Sequence, residues 1–251
     1  MFDSRKEKDK IVKFISNYYK NNNLGGVVIG ISGGKDSGVV AGLFTEAIGA
    51  ENVLGVTLPC HSIDSDMNDA YLVSNHFGFE MINVDLTKVN DVFKNEINKR
   101  GLFNYDETKD SDINLKPRLR MATLYYLAAL YSKIKGKTYI VAGTGNKCER
   151  FIGYFTKGGD GVSDINVLGD LTVDEVIKIG EELNVPDKVL YKKPNDGLSG
   201  MSDEDKLGFS YSDVTKVING EDVSNEIKQI ILKKHYENQH KFIIPIYKKN
   251  D

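Results

Sequence analysis

The chain has 251 residues, 40% of them hydrophobic and 27% charged, which suits a globular protein able to bury a full core in one or two units. Lys and Arg number 33 against 36 Asp and Glu, a net charge of −3, without the strongly basic balance of a general nucleic-acid binder. Cys60 and Cys148 stand far apart and form no C-x-x-C pattern, so neither a structural zinc site nor a disulfide framework is expected. No run approaches the ~18 apolar residues of a membrane span. The opening MFDSRKEKDKIVKF lacks the apolar stretch of a secretory leader, so a soluble, cytoplasmic protein with no membrane partner is expected.

A helix is predicted from Ser4 to Lys20 on the stripe Ile11, Val12, Phe14, Ile15, Tyr18 and Tyr19. Val27 to Ile31 reads as a short β-branched strand, Ser32-Gly33-Gly34 as a turn, and Asp36 to Ile48 as the next helix. The alternation continues: strand Val53–Leu58, helix Asp66–His76, strand Phe79–Val84, helix Val89–Arg100. A long helix is predicted from Pro117 to Ile134, with Asn114–Met121 opening it, then a fourth strand at Thr138–Ala142. Such βαβ alternation predicts an α/β protein: a doubly wound parallel sheet with flanking helices, in a single domain over residues 1–251. Gly143–Asp170 is rich in Gly, Asp, Thr and Lys and reads as site-lining loops. Helices are expected again at Leu171–Leu183, Tyr211–Ile218 and Val223–Tyr236, with Lys192–Gly208 polar and Gly-rich.

Gly30-Ile31-Ser32-Gly33-Gly34-Lys35-Asp36-Ser37 falls where a strand ends and a helix begins, the place where parallel α/β sheets bind ligands. Glycines let backbone approach an anion, and the helix offers unpaired N–H groups. The spacing is neither G-x-x-x-x-G-K-[ST] nor G-x-G-x-x-G. It resembles S-G-G-x-D-S, the mark of the ATP-pyrophosphatases, which split ATP between its α- and β-phosphates. On that likeness the ATP site comprises Gly30, Ser32, Gly33, Gly34, Lys35, Asp36 and Ser37. Asp36 can hold a Mg²⁺ that spreads charge on the leaving pyrophosphate. The competing explanation is a glycine-rich turn with a serine cap. Lys35 can reach phosphate or face solvent.

Four further blocks narrow the class: Asn114-Leu115-Lys116-Pro117-Arg118-Leu119-Arg120-Met121, Gly143-Thr144-Gly145-Asn146-Lys147-Cys148-Glu149, Gly153-Tyr154-Phe155-Thr156-Lys157-Gly158-Gly159-Asp160-Gly161 with Asp164, and Gly197-Leu198 followed by Asp203–Gly208. In this order they resemble the NAD synthetase family, of the Rossmann-like adenine nucleotide alpha-hydrolase type, from about residue 8 to residue 245. The resemblance implies amidation of deamido-NAD by ammonia through an adenylate, with ATP as cosubstrate and Mg²⁺ as metal. It implies that Thr144 contacts the nucleotide and that Asp36 and Glu149 hold Mg²⁺. Arg118, Lys157, Asp164, His240 and Lys241 would then hold deamido-NAD. Asp160 would lie near the adenylate and accept a proton from ammonium, making Asp36 and Asp160 the catalytic pair. A homodimer is implied, each dinucleotide site being built partly by the neighbouring subunit.

Plainer explanations accompany several of these residues. Lys157 and Asp164 could form a loop ion pair, Glu149 could be solvated, and His240-Lys241 could belong to a loose tail. The sequence also departs from the family pattern, with Val173 at the place of a phosphate lysine, Asn195 at that of a threonine, and Phe242 at that of an arginine after His-Lys. The chain has no room for an amidase domain, so free ammonia or a separate donor is expected. Two alternatives remain: another adenylating enzyme of the same loop class, such as one that modifies tRNA, and a non-catalytic adenine-nucleotide sensor.

Overall fold

In the computed structural model, residues 2–61, 64–101, 105–192 and 203–249 are described. The chain opens with α1 (Ser4–Asn22), capped by the Asp3 side chain on the Lys6 N–H, and α1 ends at Asn23 in the left-handed region. Then follow β1 (Leu24–Gly30), α2 (Lys35–Ile48), β2 (Val53–Thr57), α3 (Asp64–Phe77), β3 (Glu80–Asn83) and α4 (Thr87–Asn98). The second half holds α5 (Tyr105–Lys135), β4 (Thr138–Gly143), α6 (Lys147–Ile152), β5 (Ile165–Asn166), α7 (Val173–Glu182), α8 (Asp187–Leu190), α9 (Asp203–Leu207), α10 (Tyr211–Asn219) and α11 (Asn225–Glu237). A 3₁₀ turn covers Gln239–Lys241.

All strand pairs are parallel, in the order β3-β2-β1-β4-β5. Both faces of the sheet are covered, so its middle strands are apolar throughout. Val27 and Ile29 enter a core shared with α1, α2 and α7, whereas Val28 points to the opposite side. There it meets Leu54, Val56 and Val141 beneath Leu127 and Ala128 of α5. A third cluster, with Cys148 and Ile152 of α6 and Tyr211, Val214 and Ile231, holds the C-terminal helices to the body. Both cysteines are free and buried, and no described helix is long and apolar enough to cross a membrane.

Two expectations need correction. Asn114–Met121 does not open the long helix, because α5 begins at Tyr105 and Pro117 lies inside it. Proline normally marks the first turn, and within a helix it costs about 3 kcal/mol. Packing of α5 over β1 and β4 offsets that cost. The stretch Gly143–Asp170 is also more than loops: it contains α6 and the fifth strand, β5, both too short to show a period in sequence.

Candidate active site

Strand order reverses between β1 and β4, so the turns leaving these two strands diverge and open a crevice at their C-terminal ends. The first turn is Ile31–Gly34. Gly33 supplies its left-handed residue, at φ 76°. Two hydroxyls close the loop on itself: Ser37 Oγ donates to Gly34 O at 3.0 Å and accepts from Ser32 N–H at 3.2 Å, while Ser32 Oγ accepts from Gly34 N–H at 3.3 Å. Gly34, the N-cap of α2, provides no side-chain cap. The first amides of α2 are thereby presented to an anion together with the positive end of the helix dipole.

The second turn, after β4, carries Thr144, Gly145 and Asn146 into α6. Asn146 and Glu149 form a capping box: Asn146 Oδ1 accepts from Glu149 N–H at 3.1 Å, and Glu149 Oε2 accepts from Asn146 N–H at 2.9 Å. Asn146 Nδ2 also donates to Asp36 Oδ1 at 3.2 Å, tying the two turns across the seam. Burial, and then the neighbouring Asp36 carboxylate, push the Glu149 carboxyl well above the usual carboxylate range. With its carboxylate held in the capping box and the residue half-buried, Glu149 is not a freely solvated side chain.

Ser32, Gly34, Asp36, Ser37, Thr144, Glu149 and Asp160 line one partly enclosed cleft of about 180 Å³. Asp160 accepts from the Thr156 N–H at 2.9 Å, and burial raises its carboxyl against the pull of Arg120 and Lys241. Lys35 does not face solvent: it is buried, with Nζ 3.0 Å from Asp36 Oδ2. The same cleft is lined by Arg150, Tyr154, Phe155, Ser163 and Asn166, to which sequence reasoning gave no role. Tyr154 and Phe155 at least lay inside a recognised block, but nothing local marked Arg150, Ser163 or Asn166.

Of the residues predicted to hold the second substrate, Arg118, Lys157 and His240 are linked in a chain of hydrogen bonds, and Lys241 and Asp164 are held by other partners. Arg118 donates from Nε and Nη2 to Lys157 O at 3.3 Å, and Lys157 Nζ donates to His240 O at 2.7 Å. Lys241 Nζ donates to Gly153 O at 2.8 Å and Phe155 O at 3.1 Å. His240-Lys241 is therefore no loose tail. Asp164 does not pair with Lys157; it accepts from Val141 N–H at 2.8 Å and from Tyr125 Oη at 3.2 Å. The loop rests on Pro117 and Arg118 of α5 at Gly159, where a Cβ would lie 3.0 Å from Pro117 C and 3.1 Å from Arg118 N. Val173 packs against the apolar cluster around Cys148 and Ile152. Asn195 and Gly197-Leu198 lie outside the described residues.

A parallel α/β sheet with an anion-ready loop and paired carboxylates at its switch point defines a nucleotide-binding protein that can manage phosphate charge. Within that class the chain belongs to the NAD synthase family, whose sequence profile matches residues 7–251. It is 37% identical over 238 residues to the NH(3)-dependent NAD(+) synthetase of Carboxydothermus hydrogenoformans, covering 94% of each chain. Among solved structures it resembles the NMN synthetase of Francisella tularensis, with a TM-score of 0.88 and 30% identity over 99% of this chain and 100% of that one. It also resembles the NH3-dependent NAD synthetase of Campylobacter jejuni, with a TM-score of 0.76 and 26% identity over 99% and 100% of the two chains.

Proposed function

We propose that this protein adenylates the nicotinate carboxylate of deamido-NAD with ATP and lets ammonia displace AMP, giving NAD and pyrophosphate. One observation carries this: the phosphate loop after β1 and the carboxylates Asp36, Glu149 and Asp160 converge on one cleft. The loop amides and the Ser32 and Ser37 hydroxyls hold the phosphates, and Thr144 meets the nucleotide from the β4 side. Positioning and electrostatics supply most of the acceleration. Asp160, whose carboxylate desolvation makes more basic, takes a proton from ammonium. Arg118, Lys157, Asp164, His240 and Lys241 hold the dinucleotide beside the cleft.

The donor set fits Mg²⁺. Asp36 and Glu149 offer hard oxygens, and the strain between them is of the kind a divalent cation relieves. Two protein oxygens would leave room for water and phosphate in the coordination shell, as Mg²⁺ prefers. Bound there, the metal would spread the charge that builds on the leaving pyrophosphate.

Free ammonia is the proposed nitrogen source and residues 1–251 the proposed single domain. The two buried free thiols support a reducing, cytoplasmic setting. A homodimer is supported by unburied apolar stripes on α4 (Val89, Val92, Phe93, Ile97) and α5 (Tyr126, Leu130, Ile134).

The likeness to an NMN synthetase favours a second reading, amidation of the shorter mononucleotide acid. Pyrophosphate release with ATP, Mg²⁺ and ammonium, compared between deamido-NAD and nicotinic acid mononucleotide, tests both. Higher kcat/KM with the dinucleotide, with NAD as product, supports the main reading. Preference for the mononucleotide supports the second. Release with neither would overturn both.

A further inference from the structure

We propose that Arg150 is the side chain that grips the β- and γ-phosphates of ATP, and that Phe242 positions it; this rests on the proposal that ATP occupies the cleft between β1 and β4. The charges in the cleft call for such a group. Asp36, Glu149 and Asp160 contribute three carboxylates, and Arg150 is the one basic side chain among the described residues that line it. A divalent cation held by Asp36 and Glu149 would be balanced by those two carboxylates, leaving the triphosphate without a countercharge. Lys35 is engaged with Asp36 at 3.0 Å, and Val173 at the start of α7 is apolar and packed against its neighbours.

The geometry suits the role. Arg150 follows Glu149 on α6, and its stem runs across Gly169, where a Cβ would stand 3.3 Å from Cδ and 3.4 Å from Nε. The Asn166 side chain, itself in the cleft, adjoins the same spot at 3.6 Å. The guanidinium carbon lies 5.5 Å from the centroid of the Phe242 ring, within cation–π range. Phe242 stands edge-on to Phe155, another cleft residue, with centroids 5.1 Å apart and planes at 76°. Lys241, next to it, fixes the segment to Gly153 O and Phe155 O. A cation–π contact uses none of the guanidinium N–H groups as a hydrogen-bond donor to another side chain, so they can make a forked, charge-assisted contact to phosphate.

Titration calorimetry with Mg²⁺-pyrophosphate and, separately, with AMP tests the assignment. Arg150→Met should weaken pyrophosphate roughly 10- to 100-fold, the value of one or two charged hydrogen bonds, and leave AMP within about twofold. Arg150→Lys should fall between the two proteins. Phe242→Leu should raise KM for ATP while leaving KM for the carboxylate substrate unchanged, and should add nothing in the Arg150→Met background. Equal pyrophosphate affinity in wild type and Arg150→Met would overturn the role of Arg150 and leave ATP in the cleft. A full Phe242→Leu effect in the Arg150→Met background would overturn the positioning role of Phe242. A wild type that binds neither pyrophosphate nor AMP would overturn the placement of ATP and this assignment together.

Discussion

Asp36 sits where three influences meet: the start of α2, the Lys35 ammonium at 3.0 Å and the Asn146 amide at 3.2 Å. Replacing it with Asn keeps the shape and removes the charge. Asp36→Asn should lower kcat by about 10²–10³, the usual loss when a preorganised electrostatic contact is removed, and steady-state pyrophosphate release measures it. Gly159 makes a different demand, for space. Its missing Cβ lets the loop after Tyr154 rest on backbone atoms of Pro117 and Arg118, which cannot swing aside. Gly159→Val should cost about 1–3 kcal/mol, a Tm drop of roughly 2–10 °C by calorimetry, and should raise KM for the dinucleotide. The Asp36 signal was legible because an anion loop is local, its residue types packed into a few positions. Arg150 and Ser163 were not legible, because their place in the cleft depends on where β4 and β5 end.

Among elements, β1, β2 and β4 were readable from compact apolar runs, since strands buried on both faces need no polar alternation. Pro117 misled for a physical reason: proline's own preference for a first turn was overridden by the packing of α5, which only the folded chain displays. The clamp between α3 and α8 was equally invisible. Asp69 on α3 is buried and receives Lys188 Nζ at 2.7 Å and Lys192 Nζ at 2.6 Å. Burial pushes its carboxyl up, but the two lysines win and hold it below its ordinary value. A depressed carboxyl contributes stability in full above its unfolded pKa and loses it as pH falls through the folded value. Urea unfolding should therefore show Asp69→Asn clearly less stable than wild type at pH 7, with the gap narrowing as pH drops below about 4. A gap of constant size across that range would refute the clamp.

At the scale of the whole molecule, the apolar stripes of α4 and α5 stand exposed among the described residues. Val92→Glu combined with Tyr126→Glu places charge in both stripes. Sedimentation velocity should show the wild type as a dimer and the double variant as a monomer at micromolar concentration. A dimeric variant would place the contact elsewhere. The fold class was legible at this scale, because alternating strand and helix periods leave few arrangements. The proposed dimer has only family likeness behind it in the sequence, since one helix stripe reads alike whether its cover is the same chain or another.

The seam between β1 and β4 joins distant parts of the chain, with Val27 beside Ile140 and Val28 beside Val141. Contacts so remote in sequence close late, because the entropy of the intervening chain must be lost before they gain anything. The nucleotide site, built across this seam, is complete only once that long-range pairing has formed. ATP with Mg²⁺ should leave the refolding rate nearly unchanged and slow unfolding instead, as expected for a ligand that recognises the native state after the barrier has been crossed. Stopped-flow refolding and unfolding, with and without the nucleotide, would show the effect on one limb of the chevron alone.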